Sequence, residues 1–145
     1  MTTAATGSST GFKLADVRSA YDALPVAYRA NASWIFSPSA FSSLAGLTDS
    51  AGALVLPSLH QGEPTLFARP VYVSPDFPAS AANARSAAFG DWSLAYTVRR
   101  VRGIGVQRQL EVHSDTGQIG YRAFLRLDGR PTLLEAGRVL ANSAT

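Results

Sequence analysis

Three sets of residues in this 145-residue chain have types and spacings that chemistry could use. Thr10-Gly11-Phe12-Lys13 approaches the Ser-x-x-Lys arrangement, in which a lysine lies beside a hydroxyl nucleophile. It has threonine where the serine belongs, and the Lys-Thr-Gly and Ser-Asp-Asn companions of that chemistry are absent. Glu111, His113 and Asp115 alternate, so an extended strand would put all three on one face, as a metal or acid–base cluster needs. Asp115, however, falls in the turn signal Ser114-Asp115-Thr116-Gly117, and no second histidine is near, which makes these residues a solvated polar face. His60 has only Glu63 nearby, in a loop. Gly103-Ile104-Gly105 lacks the third glycine and the following helix of a dinucleotide-binding turn, and reads as a bulge or bend between strands. Asp91 and Asp128 each adjoin a glycine, as turn-stabilising carboxylates do. No catalytic, cofactor-binding or metal-binding residue is assigned, and the chain is expected not to be an enzyme.

Nucleic-acid binding has a stronger basis. Arg99, Arg100, Arg102 and Arg108 cluster in sequence, with Trp92 and Tyr96 close by. Basic side chains track phosphates and aromatic ones stack on bases. Against this, Trp92, Leu94, Tyr96 and Val98 alternate as the apolar face of a half-buried strand, which turns both aromatics into a core. The net charge of +3 is also modest for a dedicated binder. An arginine-lined contact between subunits explains the cluster equally well.

Composition sets the frame for these residues. The length fits one compact domain, or two small lobes. Hydrophobic residues make up 46% of the chain, enough for a core, while charged residues make up only 16%, which accords with a surface partly covered by partners. Twelve of the thirteen basic residues are arginine, a bias that a GC-rich genome produces and that interfaces also favour. There is no cysteine, so disulfides and thiolate metal sites are excluded. No stretch approaches the roughly 18 apolar residues of a membrane span, and the start lacks the pattern of a signal peptide. The chain is expected to be soluble and cytoplasmic.

The elements follow from periodicity. Residues 2–11 hold only Thr, Ala, Ser and Gly and are expected to be a flexible start. Leu14, Val17, Ala20, Tyr21 and Leu24 have helical spacing, and Pro25 ends that helix. Trp34-Ile35-Phe36 reads as a short buried strand, and Ser37-Pro38 as a helix start. Gly46 to Gly52 is turn chemistry. Arg69 to Val73 is another strand, and Ser74 to Ala88 a long loop, with a helix over 79–85 as the alternative. Strands are expected from Trp92, over Val106 to Val112, and from Ile119 to Leu127, with a turn at Asp128-Gly129. Tyr121 lies on the apolar face of the last of these, and Arg122, Phe124 and Arg126 on the other. For 132–141 a helix capped by Thr132 and Glu135 and a strand through Ala136, Arg138 and Leu140 both fit. The fold class is α+β, helices first and then a mostly antiparallel sheet.

The order of these motifs resembles a family. Leu24-Pro25, Tyr28-Arg29-Ala30-Asn31-Ala32 and the strand around Trp34 come first, then the turn Leu47-Thr48-Asp49-Ser50-Ala51-Gly52. Gly62-Glu63-Pro64, Pro70-Val71, Phe89-Gly90-Asp91-Trp92, Arg108 and Arg126-Leu127-Asp128-Gly129 follow. From about Leu14 to Leu140 the chain resembles the major capsid proteins of tailed bacteriophages with the HK97-type fold. It departs from the family pattern at Ala68, where glycine is common, and at Arg99, where an acidic residue is common.

The resemblance implies the C-terminal half of such a protein: a central β-sheet flanked by helices, plus extended antiparallel strands. Residues 1–11 would be a flexible segment and 12–88 an axial-domain-like region. Residues 89–145 would hold the end of that region and peripheral-domain-like strands. The implied function is that of a virion or prophage protein, a fragment of a major capsid protein that self-assembles into an icosahedral shell. An encapsulin-like shell and a nucleic-acid-binding module using Arg99 to Arg108 are the alternatives. Implied partners are other copies of the capsid protein, in rings of capsomers, with packaged DNA touched only indirectly and no membrane. The implied location is the virion, or the bacterial host cytoplasm during assembly. Expected core or intersubunit residues are Trp34, Trp92, Tyr96, Arg99, Arg100, Arg102, Arg108, Tyr121, Arg122 and Arg126. The missing N-terminal half should leave apolar sheet surface exposed and impair assembly.

Overall fold

The computed structural model describes residues 2–5, 7–9, 11–109, 111–112 and 114–144, the side chains of residues 2–5, 102 and 114 excepted. In chain order the elements are β1 (Thr2–Ala5), α1 (Leu14–Ala23), α2 (Val26–Arg29), β2 (Ser33–Phe36) and α3 (Pro38–Ala45). Then come β3 (Thr65–Leu66), β4 (Arg69–Val73), β5 (Ala87–Gly90), α4 (Trp92–Ala95), β6 (Tyr96–Gln109), β7 (Gly120–Pro131) and β8 (Gly137–Ala141). They fall into two compact units, Met1–Ala95 with Pro131–Thr145, and Tyr96–Arg130. β8 returns to pair with β5, which ties residues 131–145 to the first unit.

The first unit is built on a six-stranded sheet in the order β1-β8-β5-β2-β4-β3. Three of its five strand pairs are antiparallel, while β1 with β8 and β2 with β4 are parallel. A parallel neighbour needs a crossover, which α3 and the segment after it supply between β2 and β4. Every residue of β5 is buried, so the sheet's centre is covered on both faces. The core joins Trp34, Phe36, Phe89 and Leu140 of the sheet to Val17 and Ala20 of α1 and to Ala40 and Leu44 of α3. Trp34 stacks on Phe89 at 4.1 Å between ring centres, and its indole Nε1 donates to the buried Leu66 carbonyl at 3.2 Å.

Local chemistry sets the helix ends. Leu24 before Pro25 is extended, as the residue before a proline prefers, and α1 stops at Ala23. The Arg29 guanidinium donates to the carbonyls of Leu24 and Asp22 at 2.7 and 2.8 Å, which satisfies backbone acceptors around the end of α1. Ser37 caps α3 by accepting from the Ala40 amide, with Pro38 in the first turn. In the following turn Asp49 accepts from the Ala51 and Ala53 amides at 2.8 and 3.0 Å, and Gly52 takes a φ of +81°.

Several expectations are corrected. Residues 2–5, expected to be flexible, form β1, whose backbone pairs with β8. The expected loop 74–88 ends early, since Ala87 and Ala88 belong to β5, and no helix forms over 79–85. Trp92–Ala95 is a helical turn and not the start of a strand. Its cause is Asp91, whose carboxylate accepts from the Ser93 amide at 3.1 Å and whose carbonyl accepts from Ala95 at 2.9 Å. The open segment 132–141 forms a short 3-10 turn, Leu134–Ala136, followed by strand β8.

The β3–β4 hairpin turns on Phe67 and Ala68, both left-handed at φ 52° and 57°. That conformation suits glycine or asparagine and costs other residues about 1–2 kcal/mol. The Phe67 ring offsets its share by packing on Tyr21, 5.3 Å away, whereas Ala68 is exposed and has only a methyl group. Ala68→Gly is expected to raise the stability of the first unit by about 1 kcal/mol, read as an upward shift of the urea midpoint. A lowered midpoint would contradict this account of the turn.

Candidate assembly surface

The residues set aside as chemistry are scaffold in the described structure. Phe12 is a core residue, and the Lys13 amide donates to Asp16 at the start of α1; Thr10 lies outside the described residues. His60 Nε2 lies 3.0 Å from the Ala45 carbonyl oxygen at the end of α3. Asp115 sits in the 3-10 turn Ser114–Thr116, while His113 lies outside the described residues. Among the described residues no helix is long and apolar enough to cross a membrane.

Phe89-Gly90-Asp91-Trp92 is a packing knot. Phe89 stacks between Trp34 and Tyr21. Gly90 faces Gly137 across the β5–β8 pair, and a Cβ on it would stand 2.5 Å from the Ala136 carbonyl oxygen. Glycine is required there by the close approach of two backbones. Trp92 is half-buried and donates from its indole to the Ser33 carbonyl at 3.2 Å. Nearby polar burial escaped sequence reasoning: Ser86 donates to Asn142 Oδ1 at 2.9 Å, and Asn142 Nδ2 donates to the Ser9 carbonyl at 3.2 Å. Single polar residues in small-residue stretches carry no signal of such pairing.

The second unit is a two-stranded sheet of β6 and β7. β6 runs unbroken from Tyr96 to Gln109, so the expected bend at Gly103-Ile104-Gly105 and the separate strand from Val106 do not form. Leu110 lies outside the described residues. Nor does Asp128-Gly129 turn the chain, since β7 continues to Pro131. The glycines serve aromatic rings instead. A Cβ on Gly105 would stand 2.7 Å from Phe124 Cζ, and one on Gly129 would stand 2.5 Å from the Tyr96 hydroxyl. Each aromatic ring lies over a glycine of the other strand, which pins the pair. The two contacts run in opposite directions along the strands, so the pair is antiparallel.

These contacts also assign the faces, because side chains alternate along a strand. Tyr96 over Gly129 places Tyr96, Val98, Ile104 and Val106 with Tyr121, Leu125 and Leu127 on one face. These seven side chains are between 41% and 70% exposed, so among the described residues of the hairpin this apolar face lies open. Phe124 over Gly105 places Arg99, Arg122, Arg126 and Arg130 on the other face, together with Asp128.

The expected contact residues thus separate. Trp34 is core. Tyr96 and Tyr121 belong to the apolar face of the hairpin, and both are exposed rather than buried within the chain. Arg99, Arg122 and Arg126 share the opposite face. Arg100 and Arg108, neighbours of Arg99 in sequence, fall by alternation on the apolar face, and the Arg102 side chain lies outside the described residues.

Known proteins match this arrangement. The sequence matches the Phage capsid family over residues 1–141. No curated protein matches it. The capsid of an empty GTA particle aligns with a TM-score of 0.85 at 29% identity, over 98% of this chain and 50% of that one. The capsid of the native GTA particle aligns with a TM-score of 0.84 at 30% identity, over 98% of this chain and 49% of that one. A Gordonia phage Cozz structure shares the fold, with a TM-score of 0.67 at 18% identity, over 99% of this chain and 50% of that one. The chain spans about half the length of the capsid chains it matches. With its mixed sheet, flanking helices and extended hairpin, this chain belongs to the Phage capsid family and has an HK97-like fold.

Proposed function

We propose that this chain is the C-terminal part of a shell-forming capsid protein, a structural and non-catalytic component of a virion. The sheet unit takes the axial-domain-like role and the β6–β7 hairpin the peripheral-domain-like role, joining copies of the protein into rings. The single observation that carries this reading is the uncovered apolar face of the hairpin in a member of the capsid family that spans half of its relatives' chains. Apolar surface on that scale, on a sheet of only two strands, marks a contact made with other protein. In a ring each copy would present the same face, and many weak contacts would sum to a stable shell.

The matched capsid chains are about twice as long as this one, and on this reading their other half contributes surfaces that close the shell. The purified 145-residue chain is therefore expected to give soluble oligomers or irregular aggregates, and no closed shells, under negative-stain electron microscopy. Closed shells formed by this chain alone would overturn the reading.

A further inference from the structure

The hairpin unit carries seven arginines against Glu111, Asp115 and Asp128, a net +4, whereas the rest of the chain has six basic residues against seven carboxylates. Four of those arginines, Arg99, Arg122, Arg126 and Arg130, share one face of the hairpin, all are exposed, and Asp128 is the single carboxylate among them. We propose that this arginine face binds the phosphate backbone of duplex DNA.

Spacing and charge support that occupant. Arg122, Arg126 and Arg130 recur every four residues along β7, which sets them about 13–14 Å apart in a row about 27 Å long. That row matches roughly eight base pairs of duplex at about 3.4 Å each. Both partners are extended and stiff, so the contacts form without ordering a flexible ligand. An acidic peptide would have to be straightened to reach the same arginines, at an entropic cost. Gly103, on the same face as Arg126, has open space beside it, while the Phe124 ring covers Gly105. The proposal does not depend on the shell reading, because a single chain in solution suffices to test it.

The test is fluorescence anisotropy of a labelled duplex of about 30 base pairs with the full chain, between about 50 and about 200 mM salt. Four phosphate contacts predict an affinity that falls about a hundredfold across that range. Replacing Arg122, Arg126 and Arg130 together by glutamine is expected to weaken binding at least tenfold and to reduce the salt slope by about three. Replacing Arg100 and Arg108 by glutamine, on the other face, should change affinity less than about twofold. Circular dichroism verifies that both variants fold. Absence of binding at about 50 mM salt, or equal losses from the two variants, overturns the proposal. So does equal affinity for polyglutamate, which would assign the face to an acidic protein segment, or for anionic vesicles.

Discussion

Replacing Trp34 with alanine is expected to cost about 3–5 kcal/mol, the largest loss from any single side chain of the sheet unit. Trp34 is fully buried and lies between Phe89 and Phe36, at 4.1 and 5.6 Å between ring centres. Its removal leaves a cavity at the β2–β5 pair and strips the Leu66 carbonyl of its indole donor. Domains of this size have about 5–15 kcal/mol in all, so the variant should unfold well below the parent's urea midpoint, followed by circular dichroism. Trp34→Phe separates the two contributions. It keeps most of the packing and loses the hydrogen bond, and should cost about 1–3 kcal/mol. If alanine and phenylalanine variants proved equally stable, Trp34 would not be the keystone described above.

The second large effect concerns association rather than folding. Leu125→Lys with Leu127→Lys alters two residues of the apolar hairpin face that are already exposed, so the unfolding midpoint should move by less than about 0.5 kcal/mol. Burial of a leucine contributes about 1.5–3 kcal/mol to a contact, and losing two of them should weaken self-association by more than about a hundredfold. Analytical ultracentrifugation should show the parent chain sedimenting as oligomers and the variant as monomer. Leu125→Ser with Leu127→Ser provides the neutral comparison, which excludes charge repulsion as the cause. Unchanged oligomers in both variants would show that copies meet elsewhere.

Much of the fold was legible where local rules act alone. The helix from Leu14 stopped at Leu24-Pro25 because proline constrains its predecessor whatever surrounds it. Ser37-Pro38 opened α3, and Asp49 with Gly52 closed its turn, for equally local reasons. The departure at Ala68 was visible as well, and its left-handed backbone explains why glycine suits that position. Misreadings came where a distant partner determines conformation. Gly105 and Gly129 looked like breaks, but rings from the facing strand complete them. Trp92 looked like a strand residue through its spacing with Leu94, yet Asp91 winds that segment into a helical turn. β5 passed unnoticed because Ala-Ala-Phe-Gly has no alternation when both faces are buried.

For the candidate surface, the sequence by itself determined the family resemblance and the two-sided pattern of Tyr121 to Leu127. Spacing along one strand is enough for that, since side chains alternate by geometry. Only the tertiary structure decided which arginines act together. Arg99 and Arg100 are adjacent in the chain and point to opposite faces, while Arg99 joins Arg122, Arg126 and Arg130 from a strand some twenty to thirty residues on. Only the structure, too, showed that the side chains of the apolar face are exposed among the described residues of the hairpin. A sequence records that side chains are apolar, but burial is a property of what packs against them.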